Sequence, residues 1–350
     1  MDLNYKILIK ISSLILAVTG ISMIPSIICA AVYGETTCLK AFAFFFVLFT
    51  AAGFLIYKAV PARYSHISAR DGFLIVAACW IVSCLFGAFP YMFSGEGFTF
   101  AQSVFESTAG FTTTGVTSVS GFLGPKSLIL FKAVAHWLGG MGILILAVSI
   151  LPALGIGGQN IAKAETPAPK VDKLSNRISD SARILYIMYL MLSLIEFILL
   201  MFNRKMTVFD ALVNTLSTIS TSGIITHEAG LAFYESFYIE MVITVFTIFA
   251  SINFNLYYFL LNRRIKEFFG NTELRAFLGI VGVVTVIITV NLWINGIYGG
   301  LFSSLRYAFI QVVSFISTSG FTFTNFMTWP VLSKLLLFML MFIGGCAAST

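Results

Sequence analysis

Long apolar stretches separated by short polar connections dominate this sequence. Seven of them are long enough to cross the roughly 30 Å hydrocarbon core of a bilayer, and an eighth, at the end of the sequence, is shorter. The pattern predicts an all-α membrane protein with about eight transmembrane helices. The predicted spans are Ile7–Val32, Leu39–Val60, Gly72–Phe93, Ser127–Leu151, Ile184–Phe202, Phe237–Leu261, Phe277–Ile297 and Leu332–Ile343.

Three further segments are too short and too polar to cross a bilayer. Each begins as a plausible short helix and ends in Ser, Thr and Gly, so we predict re-entrant hairpins that enter and leave on one side. These hairpins are Phe98–Val116, Val208–Thr226 and Leu301–Thr324.

Composition agrees with a chain whose main solvent is lipid. Hydrophobic residues make up 58% and charged residues 10% of the sequence, whereas soluble domains are about 25% charged. The net charge of +6 does not indicate a nucleic-acid partner, because no basic cluster lies on a soluble domain. The five cysteines form no CxxC pair. Without a catalytic triad or phosphate loop, we expect no enzyme and no covalent cofactor.

The basic residues predict the orientation of the chain. By the positive-inside rule, connections rich in Lys and Arg are cytoplasmic. This places the N-terminus in the cytoplasm and lets all three hairpins enter from outside. A cleaved signal peptide is the alternative for the first span, but its length favours a retained helix. Of the 21 Lys and Arg residues, fourteen are predicted to be cytoplasmic: Lys6, Lys10, Lys58, Arg63, Arg70, Lys163, Lys170, Lys173, Arg177, Arg183, Arg263, Arg264, Lys266 and Arg275.

One tetrapeptide recurs in the three hairpins. It reads Ser107-Thr108-Ala109-Gly110, Ser220-Thr221-Ser222-Gly223 and Ser317-Thr318-Ser319-Gly320. Each copy follows a short helical segment and precedes a membrane span, so the sequence predicts repeated span, short helix, loop and span units. The predicted organisation is an N-terminal helix pair at 1–66 and pore repeats at 67–165, 166–265 and 266–350.

Such loops suit a dehydrated cation. A pore must replace the water shell of the ion, and backbone carbonyls aimed at its axis can do so. Successive inward carbonyls need backbone angles that glycine accepts most readily. The preceding short helix directs its partly negative C-terminal end into the membrane, which favours cations. The alternative is that these are packing glycines and capping hydroxyls in an ordinary transporter.

The loops and the overall pattern resemble the Trk/Ktr/HKT superfamily of potassium transporters, most of all its bacterial TrkH type. Thr-x-Gly-Phe/Ile is similar to the potassium-channel filter Thr-Val-Gly-Tyr-Gly, and the stretch from His136 to Gly142 resembles the second helix of the first repeat. The resemblance implies a potassium selectivity filter at Thr108, Ala109, Gly110, Phe111, Thr221, Ser222, Gly223, Ile224, Thr318, Ser319, Gly320 and Phe321, whose backbone carbonyls bind K+. It also implies a gate loop at Gly344, Gly345, Cys346, Ala347, Ala348 and Ser349.

The same resemblance implies uptake of K+, and of Rb+, across a bacterial inner membrane. It further implies a homodimer and a cytoplasmic nucleotide-binding regulatory subunit of the TrkA/KtrA kind. Glycine at position 110 favours potassium, because serine there accompanies sodium transport in plant relatives.

The family pattern has four repeats, and this sequence holds three before it stops at Thr350. We therefore expect a truncated form, and a non-conducting relic or membrane scaffold stays an alternative. A secondary transporter of another solute is a further alternative, although repeats in a single orientation argue against it.

Several charged residues complete the sequence picture. Glu196 lies in the middle of a predicted span, where it either lines a cation path or hydrogen-bonds a neighbouring helix. We expect His136 to be a structural hydrogen bonder, Lys126 and Lys132 to lie at the outer interface, and Arg306 to pair with an outer acid. The acids expected near the outer mouth are Glu106, Asp210, Glu228, Glu235 and Glu240.

Overall fold

The computed structural model describes residues 5–61, 69–119, 124–142, 178–224, 226–227, 229–261, 263–347 and 349–350. The regular secondary structure in these ranges is helical, with no strand, which confirms the predicted all-α class. The chain divides into two compact units, Met1–Ile187 and Met188–Thr350.

The first unit contains the predicted N-terminal pair and the first hairpin. Its helices are α1 (Tyr5–Ile21), α2 (Ile24–Tyr33), α3 (Thr36–Ala59), α4 (Ala69–Phe86), α5 (Phe89–Met92), α6 (Phe100–Phe111) and α7 (Lys126–Gly140).

Helix α8 (Ile178–Met201) includes the residue at which the two units divide. The helices that follow are α9 (Val208–Ile219), α10 (Phe237–Ser251), α11 (Phe254–Leu261), α12 (Ile265–Gly270), α13 (Thr272–Ile294), α14 (Leu301–Ile316) and α15 (Val331–Ile343). Two 3₁₀ turns, Gly230–Tyr234 and Phe326–Thr328, lie in the hairpin connections.

Several predicted spans are interrupted helices. Pro25 lies in the first turn of α2 and Pro90 in the first turn of α5. Proline has no backbone N–H and its ring clashes with the preceding turn, so each begins a new helix. The predicted spans Ile7–Val32 and Gly72–Phe93 are thus each present as one helical stretch, Tyr5–Tyr33 and Asp71–Met92, interrupted near its proline. The predicted span Phe237–Leu261 is also broken, because Ile252 is extended.

Among the described residues, four helical stretches are long and apolar enough to cross a membrane: Tyr5–Tyr33, Thr36–Ala59, Asp71–Met92 and Thr272–Ile294. Large apolar side chains on other helices are also exposed, including Leu194 of α8 at 54% and Phe342 of α15 at 78%. Exposed apolar surface of this kind suits contact with lipid. Residues 143–151 of the predicted span Ser127–Leu151 lie outside the described residues, so the count of eight stays a prediction.

Small residues bring α1 and α3 into close contact. A Cβ added at Gly53 would lie 2.5 Å from the Ser13 carbonyl oxygen and 2.7 Å from the Ala17 nitrogen. One added at Gly20 would lie 2.6 Å from the Thr50 hydroxyl. Lipid tails are as apolar as the side chains they contact, so membrane helices associate through close packing of this kind.

Glu35 also ties the N-terminal pair to α7, the helix that follows the first hairpin. Its carboxylate accepts hydrogen bonds from the Lys126 and Ser127 backbone N–H groups, at 2.7 and 3.0 Å, and from the Ser127 hydroxyl. These N–H groups begin α7 and have no partner within that helix. A carboxylate is favoured there by the helix dipole.

We expect Gly53→Val to loosen the first unit, because backbone atoms of α1 occupy the space that the new side chain needs. The expected loss is about 2–3 kcal/mol, a typical overpacking cost. Thermal unfolding of detergent-solubilised protein measures it. Gly279→Val on α13 is the matched control, since no atom lies within 4 Å of its added Cβ. Equal destabilisation by both variants would contradict the packing account.

Candidate ion-filter site

Each of the three hairpins holds a short helix followed by an irregular loop. Thr99 caps α6 in a capping box with Gln102, and Thr207 caps α9 by accepting the Asp210 N–H at 3.1 Å. Such caps fix where the helix starts. The predicted short helices of the three hairpins are thus present as α6, α9 and α14.

The second and third loops share an unusual backbone. Thr221 and Gly223 have φ of 50° and 66°, and Thr318 and Gly320 have φ of 58° and 71°. Threonine resists this left-handed region, at a cost of about 1–2 kcal/mol, whereas glycine accepts it readily. Two loops that repeat the same strained pattern indicate a common structural purpose.

The first hairpin has this pattern five residues later than the sequence motif predicted. Thr113 and Gly115 have φ of 55° and 73°. Thr108, Ala109, Gly110 and Phe111 instead form the last turn of α6. The expectation that these four residues form an irregular loop is therefore wrong.

Backbone hydrogen bonds support this corrected register. The Thr113 N–H donates to the carbonyl three residues earlier at 3.1 Å, as do those of Thr221 at 3.0 Å and Thr318 at 3.1 Å. Thr113 also follows the capping Thr99 by the same interval of 14 residues that separates Thr221 from the capping Thr207. Thr113-Thr114-Gly115-Val116 is thus the counterpart of Thr221–Ile224 and Thr318–Phe321.

Gly110 has a packing role in α6. A Cβ added to it would lie 3.2 Å from the Ala135 Cβ of α7. A Cβ added to Gly139 would lie 1.9 Å from the Phe111 carbonyl oxygen. One added to Gly87 would lie 2.5 Å from the Ser107 hydroxyl. Helix α6 is therefore closely packed against a glycine of α7 and a glycine directly after α4.

The second and third loops touch each other. A Cβ added to Gly223 would lie 1.9 Å from the Ser319 carbonyl oxygen. A side chain cannot occupy that space, so the close approach requires glycine. The contact places the Ser319 carbonyl of the third loop against the Gly223 backbone of the second.

Serines on the short helices hold these two loops. The Ser217 hydroxyl accepts the Ile224 N–H at 2.6 Å, and the Ser314 hydroxyl donates to the Phe321 carbonyl at 2.7 Å. Both serines are buried and lie four residues before the left-handed threonine. The loops are thus fixed from behind by their own helices.

The first loop is fixed by an ion pair. Lys132 Nζ lies 2.7 Å from Glu106 Oε2 and donates to the Val116 carbonyl at 2.8 Å. Glu106 Oε1 accepts from the Thr117 and Ser118 hydroxyls, each at 2.8 Å. Lys132, which was expected at the outer interface, has a side chain that is only 12% exposed and binds the loop.

Other sequence expectations concern single polar residues. His136 is buried and is a structural hydrogen bonder, as predicted; its Nε2 lies 3.0 Å from the Ala109 carbonyl near the end of α6. Arg306 pairs with Glu240 at 2.6 Å, which confirms its predicted acidic partner. Glu196 is fully buried, and neither of its carboxyl oxygens has a hydrogen-bond partner among the described residues. Glu228 lies outside them.

The predicted gate loop follows the end of α15. The helix stops at Ile343, and Gly344 adopts a φ of 73°. The Cys346 N–H donates to the Ser251 carbonyl at the end of α10 at 2.9 Å, and the Ala347 N–H donates to Glu273 at 2.6 Å. Ala348 lies outside the described residues. The loop is therefore non-helical and bonded to neighbouring helices, while its role as a gate stays a prediction.

These features define an all-helical membrane protein in which bilayer-length helices alternate with short helices ending in strained, backbone-lined loops. The family model described as "TrkH: Cation transport protein" matches residues 38–350. The chain belongs to this TrkH family.

Three similar proteins support the assignment. The chain is 35% identical to the Trk system potassium uptake protein TrkH of Salmonella typhimurium, over 96% of this chain and 70% of that protein. It is 34% identical to the TrkH of Halomonas elongata, over 99% of this chain and 72% of that protein. The crystal structure of the potassium transporter TrkH from Vibrio parahaemolyticus matches with a TM-score of 0.84 and 30% identity, covering 99% of this chain and 72% of that chain.

We expect Gly223→Ala to damage the loops more than Gly320→Ala. Both residues have positive φ, so each substitution carries a strain cost of about 1–2 kcal/mol. Only at Gly223 does the added Cβ also meet a backbone oxygen, whereas Gly320 has no atom within 4 Å. Thermal unfolding in detergent, with and without K+, gives the ranking. Equal losses would show that the two loops do not approach as described.

Proposed function

We propose that this protein takes up potassium ions across the bacterial inner membrane through a channel-like pore. The observation that carries the proposal is the left-handed threonine and glycine repeated in three loops, at Thr113 and Gly115, Thr221 and Gly223, and Thr318 and Gly320. This backbone can direct successive carbonyls to one side, where they replace the water shell of a cation. Family membership and the potassium uptake activity named for the relatives support potassium as the ion.

The proposed filter comprises one four-residue loop from each hairpin. In the first hairpin it is Thr113–Val116, in place of Thr108–Phe111. The others remain Thr221–Ile224 and Thr318–Phe321. Helices α6, α9 and α14 direct their C-terminal ends at these loops, which favours a cation there.

Ions enter from outside in this proposal, and the N-terminus is cytoplasmic, because the basic connections assign that side. The membrane potential drives uptake with about 2.3 kcal/mol per charge for each 100 mV. The loop from Gly344 to Ser349 acts as the gate. The protein works as a homodimer with a cytoplasmic nucleotide-binding regulatory subunit of the TrkA kind, and the repeat boundaries are those given by the sequence.

The filter register has a direct test in a matched pair of alanine variants. We expect Gly115→Ala to reduce Rb+ uptake at least about tenfold, since Ala resists φ of 73° by about 1–2 kcal/mol. We expect Gly110→Ala to retain uptake, because Gly110 is helical and its added Cβ needs only a small shift of Ala135. Uptake is measured in cells that lack their own potassium transporters, with membrane expression quantified for each variant.

The opposite ranking would return the filter to Thr108–Phe111. Wild-type protein that is expressed but gives no Rb+ or K+ uptake in these cells would overturn the proposed function itself. Uptake that persists in Gly115→Ala, Gly223→Ala and Gly320→Ala alike would overturn the filter assignment while leaving transport intact.

A further inference from the structure

In two of the three loops, a side chain binds the carbonyl of the residue after the filter glycine. Lys132 of α7 donates to the Val116 carbonyl at 2.8 Å, and Ser314 of α14 donates to the Phe321 carbonyl at 2.7 Å. Both donors are on helices that support the loop. A carbonyl directed at such a donor faces the protein, so it contributes less to coordinating an ion on the loop's other side.

The two donors bind their loop carbonyls with chemically different groups. Ser314 is a neutral hydroxyl with no charge to compensate. Lys132 brings a full positive charge to a loop proposed to carry cations, and Glu106 lies against it at 2.7 Å with a side chain 3% exposed. Such a buried charge is strongly unfavourable without its partner. Glu106 therefore cancels a charge that would otherwise repel the ion.

The pair is specific to the first hairpin. Glu106 lies seven residues before the left-handed Thr113, and the same position holds Asn214 in the second hairpin and Gln311 in the third. Lys132 lies seven residues after the N-cap of α7. The corresponding residues of α10 and α15 are Ile243 and Leu337, both buried. Acid and base are thus present together in one hairpin and replaced together by neutral residues in the others.

We infer that the Glu106–Lys132 pair is a selectivity-determining element of the first filter loop. Lys132 holds the Val116 carbonyl away from the ion path, and Glu106 neutralises the lysine so that cations still pass. Ser314 does the first of these tasks for Phe321 in the third loop. The inference rests on the proposed function, because it concerns the loops assigned there as the filter.

A double-mutant cycle tests the electrostatic part. We expect Glu106→Gln and Lys132→Leu each to lower K+ uptake at least about tenfold, because each leaves a buried charge without its partner. The double variant reproduces the Gln and Leu of the third hairpin. We expect it to recover uptake to within about threefold of wild type, since neither charge remains. A double variant no better than the worse single one would overturn the coupling.

Ion selectivity tests the carbonyl part. In the active double variant the Val116 carbonyl is free, so we expect the ratio of K+ to Na+ uptake to fall at least about threefold. Ser314→Ala removes one hydroxyl and no charge, and we expect it to lower the same ratio in a folded protein. An unchanged ratio in Ser314→Ala, or in an active double variant, would overturn the assignment of these donors to selectivity.

Two controls separate this result from the proposed function. The exposed pair Arg264 and Glu267, changed to Leu and Gln, is expected to leave uptake and selectivity unchanged, because exposed pairs contribute little. Wild-type K+ uptake lost on Gly115→Ala supports the filter whatever the ion-pair variants do. Failure of the double-mutant cycle in a protein whose filter passes that test counts against the ion pair alone.

Discussion

The loops depend on a backbone conformation that their own residues resist. Three threonines and three glycines lie at positive φ, two residues apart in each loop. Each threonine costs about 1–2 kcal/mol in that region. Strain of this size persists only where the surroundings determine the conformation. The short helices, their caps and the polar side chains behind the loops supply that determination, which explains why so much buried polar structure surrounds so few residues.

The same loop backbone is held by three different sets of side chains. The second loop binds Ser217 through an N–H, the third binds Ser314 through a carbonyl, and the first binds the Glu106–Lys132 pair. Only the backbone pattern is common to all three. A repeat of this kind conserves the geometry of its main chain within one molecule while its supporting side chains diverge, and this divergence leaves room for the loops to differ in ion preference.

Much of the fold follows from the sequence, since bilayer-length apolar runs and short helices between them need no tertiary information. The prolines at 25 and 90 gave a local signal for the broken spans that length alone hid. The register of the first left-handed loop was missed because the first hairpin holds two Thr-x-Gly triplets, at 108–110 and 113–115, and one of them is helical. The distance from the capping threonine distinguishes them. The Glu106–Lys132 contact joins residues from two helices and has no signal in the local sequence.

The lipid environment explains why polar contacts, and not helix packing, hold the loops in one conformation. Close packing at glycines such as Gly53 and Gly139 brings helices together, but packing against lipid-like surfaces does not select one loop conformation over another. A backbone group away from water must find a partner within the protein, and an unpaired one costs several kcal/mol. Each serine or lysine behind a loop therefore excludes the alternatives that would leave its carbonyl or N–H unpaired. The fold brings the second and third loops close, and these hydrogen bonds determine which loop carbonyls are bound within the protein.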